Sequence, residues 1–146
     1  MMQTATTPRH VWVVGVLALL WNAMGAVDFT LTQLRSEAYL KAFTPEQLAY
    51  FTSLPSWVAL VWGLGTWGGF LGAVTLLLRR RCSLKLFTVS LAGMVLTDLY
   101  CYVLSDGLKA MGGKVAATIG FSAVIFVVGV LLFVYARAMG RRGVLR

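Results

Sequence analysis

Four long apolar runs dominate the pattern of hydrophobic and polar positions along the chain. They cover approximately residues 11–31, 54–78, 84–104 and 115–138. Each reaches or exceeds the roughly 20 residues that an α-helix needs to cross a hydrocarbon core about 30 Å thick. Strands in soluble cores are much shorter, and barrel strands alternate between apolar and polar residues. Because backbone polar groups in lipid must be bonded internally, the pattern predicts four transmembrane helices in a single membrane domain, residues 1–146.

The placement of charge gives this bundle an orientation. Only 12% of the 146 residues are charged, about half the fraction in soluble domains, and 13 basic residues outnumber five acidic ones. Nine of the basic residues lie before the first run, around the junction of the second and third runs, or at the end of the chain, where no acidic residue occurs. Since lysine and arginine mark the cytoplasmic face, both termini are expected inside the cell. The net charge of +8 is therefore a topology signal, and no nucleic-acid partner is expected.

The first run also has features of a cleavable signal peptide. Arg9 precedes an apolar core, and Ala23 and Gly25 are spaced like a small-residue cleavage site. However, the apolar character resumes after Asn22, which favours a transmembrane helix that is retained.

The longest interval between the runs, residues 32–53, predicts a short amphipathic helix on the outer side of the membrane. Thr44, Pro45 and Gln47 form a typical helix start, with threonine as the N-cap, proline at the first position and glutamine at the third. Aromatic side chains around this start suit a helix lying among the lipid headgroups. A lid over a pocket between the spans is the alternative. The predicted fold is thus an all-α membrane protein, a four-helix bundle with a short outer helix between the first two spans.

Polar side chains inside the runs are the candidates for a functional site. Asp98 is expected in the outer half of the third span, and Asp28 near the outer end of the first span, with Asn22 deeper in the same helix. Charged groups at membrane depth are costly and usually functional. Six residues are expected to line a ligand or proton site open to the outside: Asp98, Asp28, Asn22, Trp21, Tyr102 and Trp62.

A structural role is the alternative for each polar candidate. Asp28 then bonds Arg35 or reaches the headgroups. Asp98 accepts hydrogen bonds from Thr97 or from tyrosine or tryptophan side chains of the bundle. Asn22 bonds a neighbouring helix.

Glycines in the second run mark a helix-packing face. Gly65, Gly68, Gly69 and Gly72 lie at i, i+3, i+4 and i+7, and Gly120 is the corresponding small residue in the fourth run. Small residues let helix backbones approach closely in lipid. The face is expected to pack either within the bundle or against a second copy of the chain.

The sequence contains no motif for catalysis or for a resident metal. Its single histidine, His10, precedes the first span, and Cys82 and Cys101 are about 28 Å apart on one helix, too far to pair. Nucleophile-elbow, phosphate-loop and zinc-hydrolase motifs are absent. We therefore expect that the protein is not an enzyme, needs no metal or cofactor, and has the lipid bilayer as its surroundings.

A resemblance to a known group rests on several stretches of the chain. Residues 20–29 (LWNAMGAVDF), 43–51 (FTPEQLAYF) and 55–57 (PSW), with the glycine-rich second span, resemble uncharacterised small four-helix inner-membrane proteins of proteobacteria that are often labelled "sugar transporter". The likeness covers nearly the whole chain. It implies four helices in a bacterial inner membrane and a transporter or channel for a small, sugar-like molecule.

Two kinds of partner are compatible with that role. Four helices alone enclose little space, so a transporter of this size is expected to be a homo-oligomer. The alternative function is a non-catalytic accessory or assembly subunit of a larger membrane complex.

Overall fold

Helices account for most of the chain. The structure is a computed structural model that describes residues 7–146, and residues 1–6 of the expected domain lie outside the described residues. The described α-helices are α1 (Arg9–Gln33), α2 (Glu37–Leu40), α3 (Pro45–Thr52), α4 (Ser56–Leu77), α5 (Cys82–Leu99), α6 (Gly107–Ala110) and α7 (Val115–Arg141). A π-helical turn, Tyr100–Leu104, continues α5, and a 3-10 turn, Gly112–Lys114, precedes α7.

Four helices are long and apolar enough to span a membrane, namely α1, α4, α5 with its π-helical turn, and α7. This confirms the all-α architecture with four potential spans, and no strand occurs between residues 7 and 146. Helix α1 begins at Arg9 and α7 continues to Arg141, each slightly beyond its apolar run. The apolar runs mark the length of hydrocarbon to be crossed, whereas a helix can continue into the headgroup region.

Three of the long helices end in the same kind of turn. The residue after the C-cap has a left-handed backbone at Arg35 (φ 52°), Arg79 (φ 55°) and Gly143 (φ 69°). In each case the next N–H donates to a carbonyl five residues back, as from Ser36 to Leu31 at 3.0 Å. This arrangement satisfies carbonyls that the helix end leaves unpaired. The two arginines adopt a conformation that costs a non-glycine residue about 1 kcal/mol, so these turns are imposed by the bundle.

The spans pack in the order α1, α4, α5, α7. Helix α4 contacts α1 and α5, and α5 contacts α7, whereas α1 and α7 lack a comparably extensive contact within the described chain. The α4–α5 contact depends on glycine. A Cβ atom on Gly93 would lie 2.8 Å from both the Gly65 nitrogen and the Val61 carbonyl oxygen. The Ser90 hydroxyl also donates to the Gly65 carbonyl at 2.6 Å. The two backbones are therefore in direct contact.

One end of the bundle, which we call the basic end, contains the ends of α4 and α7 and the starts of α1 and α5. Arg79, Arg80 and Arg81 lie there in the α4–α5 turn. His10 Nδ1 and the Tyr135 hydroxyl are 2.6 Å apart, which joins α1 to α7. The ten buried residues of the core cluster include members from all four spans and from residues 144–145: Val11, Ala18, Ala73, Leu76, Phe87, Leu132, Ala136, Met139, Val144 and Leu145.

Residues 144–146 close the basic end. The Arg81 N–H donates to the Arg146 carbonyl at 2.9 Å, and the Arg146 N–H donates to the Arg79 carbonyl at 2.6 Å. These bonds hold Leu145 in the core, where 1% of its surface is exposed. The opposite end, which we call the loop end, contains α2, α3 and α6.

Candidate ligand-binding cavity

A cavity of about 600 Å³ lies between the four spans in the loop-end half of the bundle. Phe87 and Leu132 line it and also belong to the basic-end core, so they form its floor. The walls come from all four spans, and Tyr39 of α2 lines the cavity as well. Cavities of 300–1,000 Å³ are typical of small-molecule sites. The cavity exists because α1 and α7 meet at the basic end and are not packed together further along.

Five of the six residues predicted for a site line this cavity. Trp21, Asn22 and Asp28 come from α1, Trp62 from α4 and Asp98 from α5. Residues that are more than 70 positions apart in the sequence are thus brought to one space by the helix packing.

The sixth predicted residue, Tyr102, lies behind the cavity wall. Its hydroxyl is 2.5 Å from the Ser122 hydroxyl, and Ser122 lines the cavity. Tyr102 belongs to the π-helical turn after α5. Its role in the structure is to position the start of α7 against that turn.

Asp28 is partnered by Tyr39. The Tyr39 hydroxyl donates a hydrogen bond to Asp28 Oδ1. Burial of the phenol, and then its bond to Asp28, raise the pKa of Tyr39 from 10.0 to about 12. Arg35, the partner considered from the sequence, makes no ion pair with Asp28 in the described chain. The left-handed turn at Arg35 instead redirects the chain so that α2 returns over the bundle.

Asp98 has no side-chain partner among residues 7–146. Thr97, a donor considered from the sequence, bonds the Gly93 carbonyl at 2.8 Å instead. The Asp98 side chain is half-buried and faces the cavity. A carboxylate at this depth is costly to leave unpaired, and the cavity is the side from which a group outside the described chain can reach it.

Most hydroxyl and amide donors of the wall are already engaged. Thr66 donates to carbonyls of α4, Ser90 donates to Gly65, and Thr97 donates to Gly93. Asn22 bonds the Ala18 carbonyl of its own helix at 2.8 Å, and not a neighbouring helix as considered from the sequence. The carboxylate oxygens, by contrast, are incompletely paired. The cavity is therefore rich in hydrogen-bond acceptors and poor in free donors.

An aromatic cluster covers the loop end of the cavity. Ring centroids are 5.6 Å apart for Tyr39 and Phe43, 5.7 Å for Phe43 and Phe51, and 5.9 Å for Phe51 and Trp62. Phe29 meets Trp62 edge-on at 5.0 Å. Rings at such separations attract one another beyond their simple burial. The cluster connects α2 and α3 to α1 and α4.

Helix α3 is fixed by its start and by its contact with Ser105, which follows the π-helical turn. The Thr44 side chain accepts from the Gln47 N–H while the Gln47 side chain accepts from the Thr44 N–H. The Tyr50 hydroxyl is 2.7 Å from the Ser105 hydroxyl, just beyond the π-helical turn. Burial raises the pKa of Tyr50 above its ordinary value. We refer to residues 36–53, which include α2 and α3, as the cover.

The glycines predicted for packing divide into two groups. Gly65, Gly68, Gly69 and Gly72 are buried against α5 or α1, and Gly65 also lines the cavity. Gly120 differs, because a Cβ atom placed there would meet nothing within 4 Å in the described chain. Its expected part in packing is therefore not fulfilled inside this bundle.

Several cavity residues were not among the sequence candidates. Tyr39 and Ser90 line the cavity, although the sequence marks neither of them as a site candidate. Ser122 and Phe121 lie in a span that had no recognisable feature. Helical spacing places Met94 on the same face of α5 as Asp98. It cannot place the α7 residues beside them, because their position depends on how α7 packs.

The described residues contain no group of three or more metal-ligating side chains. No family model, curated protein or solved structure matches this chain.

Proposed function

We propose that this protein carries a small molecule across a membrane, or lets it pass, using the cavity as its binding site. The observation that carries the proposal is the space of about 600 Å³ between the four spans, with two carboxylates and two tryptophans in its wall. A purely structural bundle gains stability by filling such a space, since unfilled volume forfeits packing. The resemblance to proteins labelled "sugar transporter" suggests the same general role, so a sugar-like solute belongs among those to be tested. No catalytic step is proposed.

The experiment is a flux measurement in proteoliposomes. Radiolabelled glucose, phenethylammonium and glutamate represent a neutral, a cationic and an anionic solute. We expect one of them to cross faster than in empty liposomes, and Asp98→Asn and Asp28→Asn to abolish that difference. Asp106→Asn is the matched control, because Asp106 pairs with Lys109 on the exposed loop. Equal flux with and without the protein for all three solutes would refute the proposal.

We place the protein in a bacterial inner membrane with both termini in the cytoplasm. The support is the concentration of arginine and lysine at the basic end. Exposed Cys82 lies at that end. A membrane-impermeant maleimide is therefore expected to label inside-out vesicles and not spheroplasts, and Cys82→Ser should remove the labelling. Labelling of Cys82 in spheroplasts would reverse the orientation.

In this orientation the cover lies at the outer surface. We propose that α3 acts as a lid on the cavity and also rests among the headgroups. Its contacts with Trp62 and Ser105 support the lid role.

We further propose that the protein is a homo-oligomer within the bilayer. Gly120 and the exposed apolar residues beside it on α7 have no partner within the described chain. The same observation favours the alternative function, an accessory subunit whose partner covers this face. Native mass measurement in mild detergent distinguishes the two: multiples of 15.9 kDa support the oligomer, and a second polypeptide supports the accessory role.

A further inference from the structure

We infer that the cavity selects a small organic cation with an apolar or aromatic body, in preference to a neutral polyol. This inference rests on the proposed function only in taking the cavity as the binding site. It concerns the charge and the hydrogen-bonding character of the ligand.

Charge is the first observation. Asp28 and Asp98 line the cavity, and none of its described lining residues is lysine, arginine or histidine. The described ion pair, Lys109–Asp106, lies on the exposed loop and involves neither acid. Carboxylates removed from water are strongly destabilised unless an opposite charge accompanies them. A cationic ligand supplies that charge from outside the chain.

Hydrogen bonding is the second observation, and it is independent of charge. Thr66, Ser90 and Thr97 direct their hydroxyl donors to backbone carbonyls, and Asn22 directs one of its two amide N–H groups to the Ala18 carbonyl. The Tyr39 hydroxyl donates to Asp28. Asp98 has no side-chain donor in the part of the chain that the structure describes. This wall therefore favours a ligand that mainly donates hydrogen bonds.

A sugar satisfies this requirement poorly. Each sugar hydroxyl both donates and accepts, and ring oxygens only accept. In the described part of this wall, the side-chain donors without a partner are the indole N–H groups of Trp21 and Trp62 and the second amide N–H of Asn22. A polar group buried without its partner costs about 1–3 kcal/mol, so a polyol would lose affinity at several oxygens. An ammonium group donates up to three hydrogen bonds and has no acceptor to satisfy.

The aromatic wall is the third observation. Trp21, Tyr39, Trp62 and Phe121 line the cavity together with aliphatic side chains. A cation over an aromatic face is attracted by the ring, most strongly by tryptophan. The aliphatic lining near Leu132 suits the apolar part of the ligand. The site thus combines carboxylates, aromatic rings and an apolar floor, and this combination suits an arylalkylammonium ion.

The experiment compares two probes of similar shape, phenethylammonium and phenethyl alcohol, with glucose as the polyol. Binding to the full chain in lipid nanodiscs is measured by calorimetry at neutral pH, with empty nanodiscs to subtract partition into lipid. We expect the ammonium ion to bind at least about tenfold more tightly than the alcohol, and glucose not to bind. Asp98→Asn should weaken ammonium binding by about tenfold or more, while Asp106→Asn should leave it unchanged.

The comparison of probes uses the unaltered chain, so it holds even if a variant fails to fold. Equal binding of the ammonium ion and the alcohol, binding of glucose alone, or no binding of the ammonium ion overturns the inference. The flux measurement tests the carrier proposal separately. Glucose flux without ammonium binding would support the carrier proposal and overturn the inference of a cationic ligand. Ammonium binding without flux of any solute would support the binding site and overturn the carrier proposal.

Discussion

The basic end and the loop end of this bundle are built in opposite ways. At the basic end, apolar side chains such as Leu76 and Leu145 fill the space between all four spans, and the His10–Tyr135 bond joins the first helix to the last. At the loop end the same four spans surround a cavity with two carboxylates in its wall. One end is closed by packing, and the other is closed by a cover held by hydrogen bonds and rings.

The difference shows how one set of helices supports both stability and a binding space. In lipid, helices associate through close packing and hydrogen bonds, because burying apolar surface gains little there. The α4–α5 glycine contact and the filled basic end supply the close packing. The loop end can then keep an unfilled cavity under its cover without loss of the fold.

Gly93→Leu should have the largest effect, because it forces apart the helix pair shared by both ends. A Cβ atom there would already lie 2.8 Å from backbone atoms of α4. Backbone atoms cannot move aside as a side chain does, so we expect a loss of more than about 3 kcal/mol. Thermal unfolding in detergent measures it. Gly120→Leu, where nothing in the described chain lies within 4 Å, should not destabilise the single bundle. Equal losses would show that the glycine contact is unimportant.

Leu145→Ala tests the basic end alone. Leu145 is 1% exposed, and replacing a leucine at such a site with alanine typically costs about 2–3 kcal/mol through lost contacts. The matched control is Leu131→Ala, since Leu131 is 62% exposed on α7 and lipid replaces its contacts. We expect lower thermal stability for the first variant and unchanged ligand binding in both. A similar stability for both variants would contradict the assignment of Leu145 to the core.

Tyr39→Phe tests the loop end of the bundle. It removes the hydrogen bond to Asp28 while keeping the ring contact with Phe43. A hydrogen bond to a charged acceptor contributes roughly 1.5 kcal/mol or more. Here it stabilises the attachment of the cover to α1. Faster hydrogen exchange in residues 36–44, with little change in the melting temperature of the bundle, is the expected result. Unchanged exchange would mean that the bond does not hold the cover.

Burial of the Tyr39 phenol, together with the same bond, makes the cover sensitive to alkaline pH. The pKa of Tyr39 is raised from 10.0 to about 12 in the folded chain. Because the folded state holds the phenol proton more tightly, this contribution is complete below pH 10 and is lost between pH 10 and about 12. Exchange in the cover should therefore increase over that interval in the wild type. Tyr39→Phe should lack this component.

Thr44→Ala should have the smallest effect, confined to α3. It removes the side chain that caps the helix, for a typical cost of about 1 kcal/mol. Hydrogen exchange of the amides in Pro45–Thr52 measures the change. Thr52→Ala is the control, because the Thr52 hydroxyl bonds carbonyls within its own helix and caps nothing. If both variants exchange alike, the capping box does not determine the stability of α3.

The spans and the start of α3 could be predicted from the sequence, whereas the partners of Asp28 and Asp98 could not, and the reason is physical. The spans follow from apolar length, and the start of α3 follows from the local chemistry of Thr44 and Gln47, so both are readable from neighbouring residues. Asp28 and Asp98 were recognisable as candidates because charge at membrane depth is costly. Their partners were not recognisable. The choice of Tyr39 over Arg35 depends on how the chain turns after α1, which no local pattern encodes.

Apolar length predicts the four helices of this chain, and the cost of burying charge singles out the acids within them as site candidates. Both effects act residue by residue, so a linear sequence reveals them. The packing of the helices sets where α1 and α7 meet and where they leave a cavity. It also engages most donors of the cavity wall and leaves the Asp98 carboxylate without a side-chain partner in the described chain. Those outcomes depend on contacts between distant segments, and a cavity is defined by several helices at once.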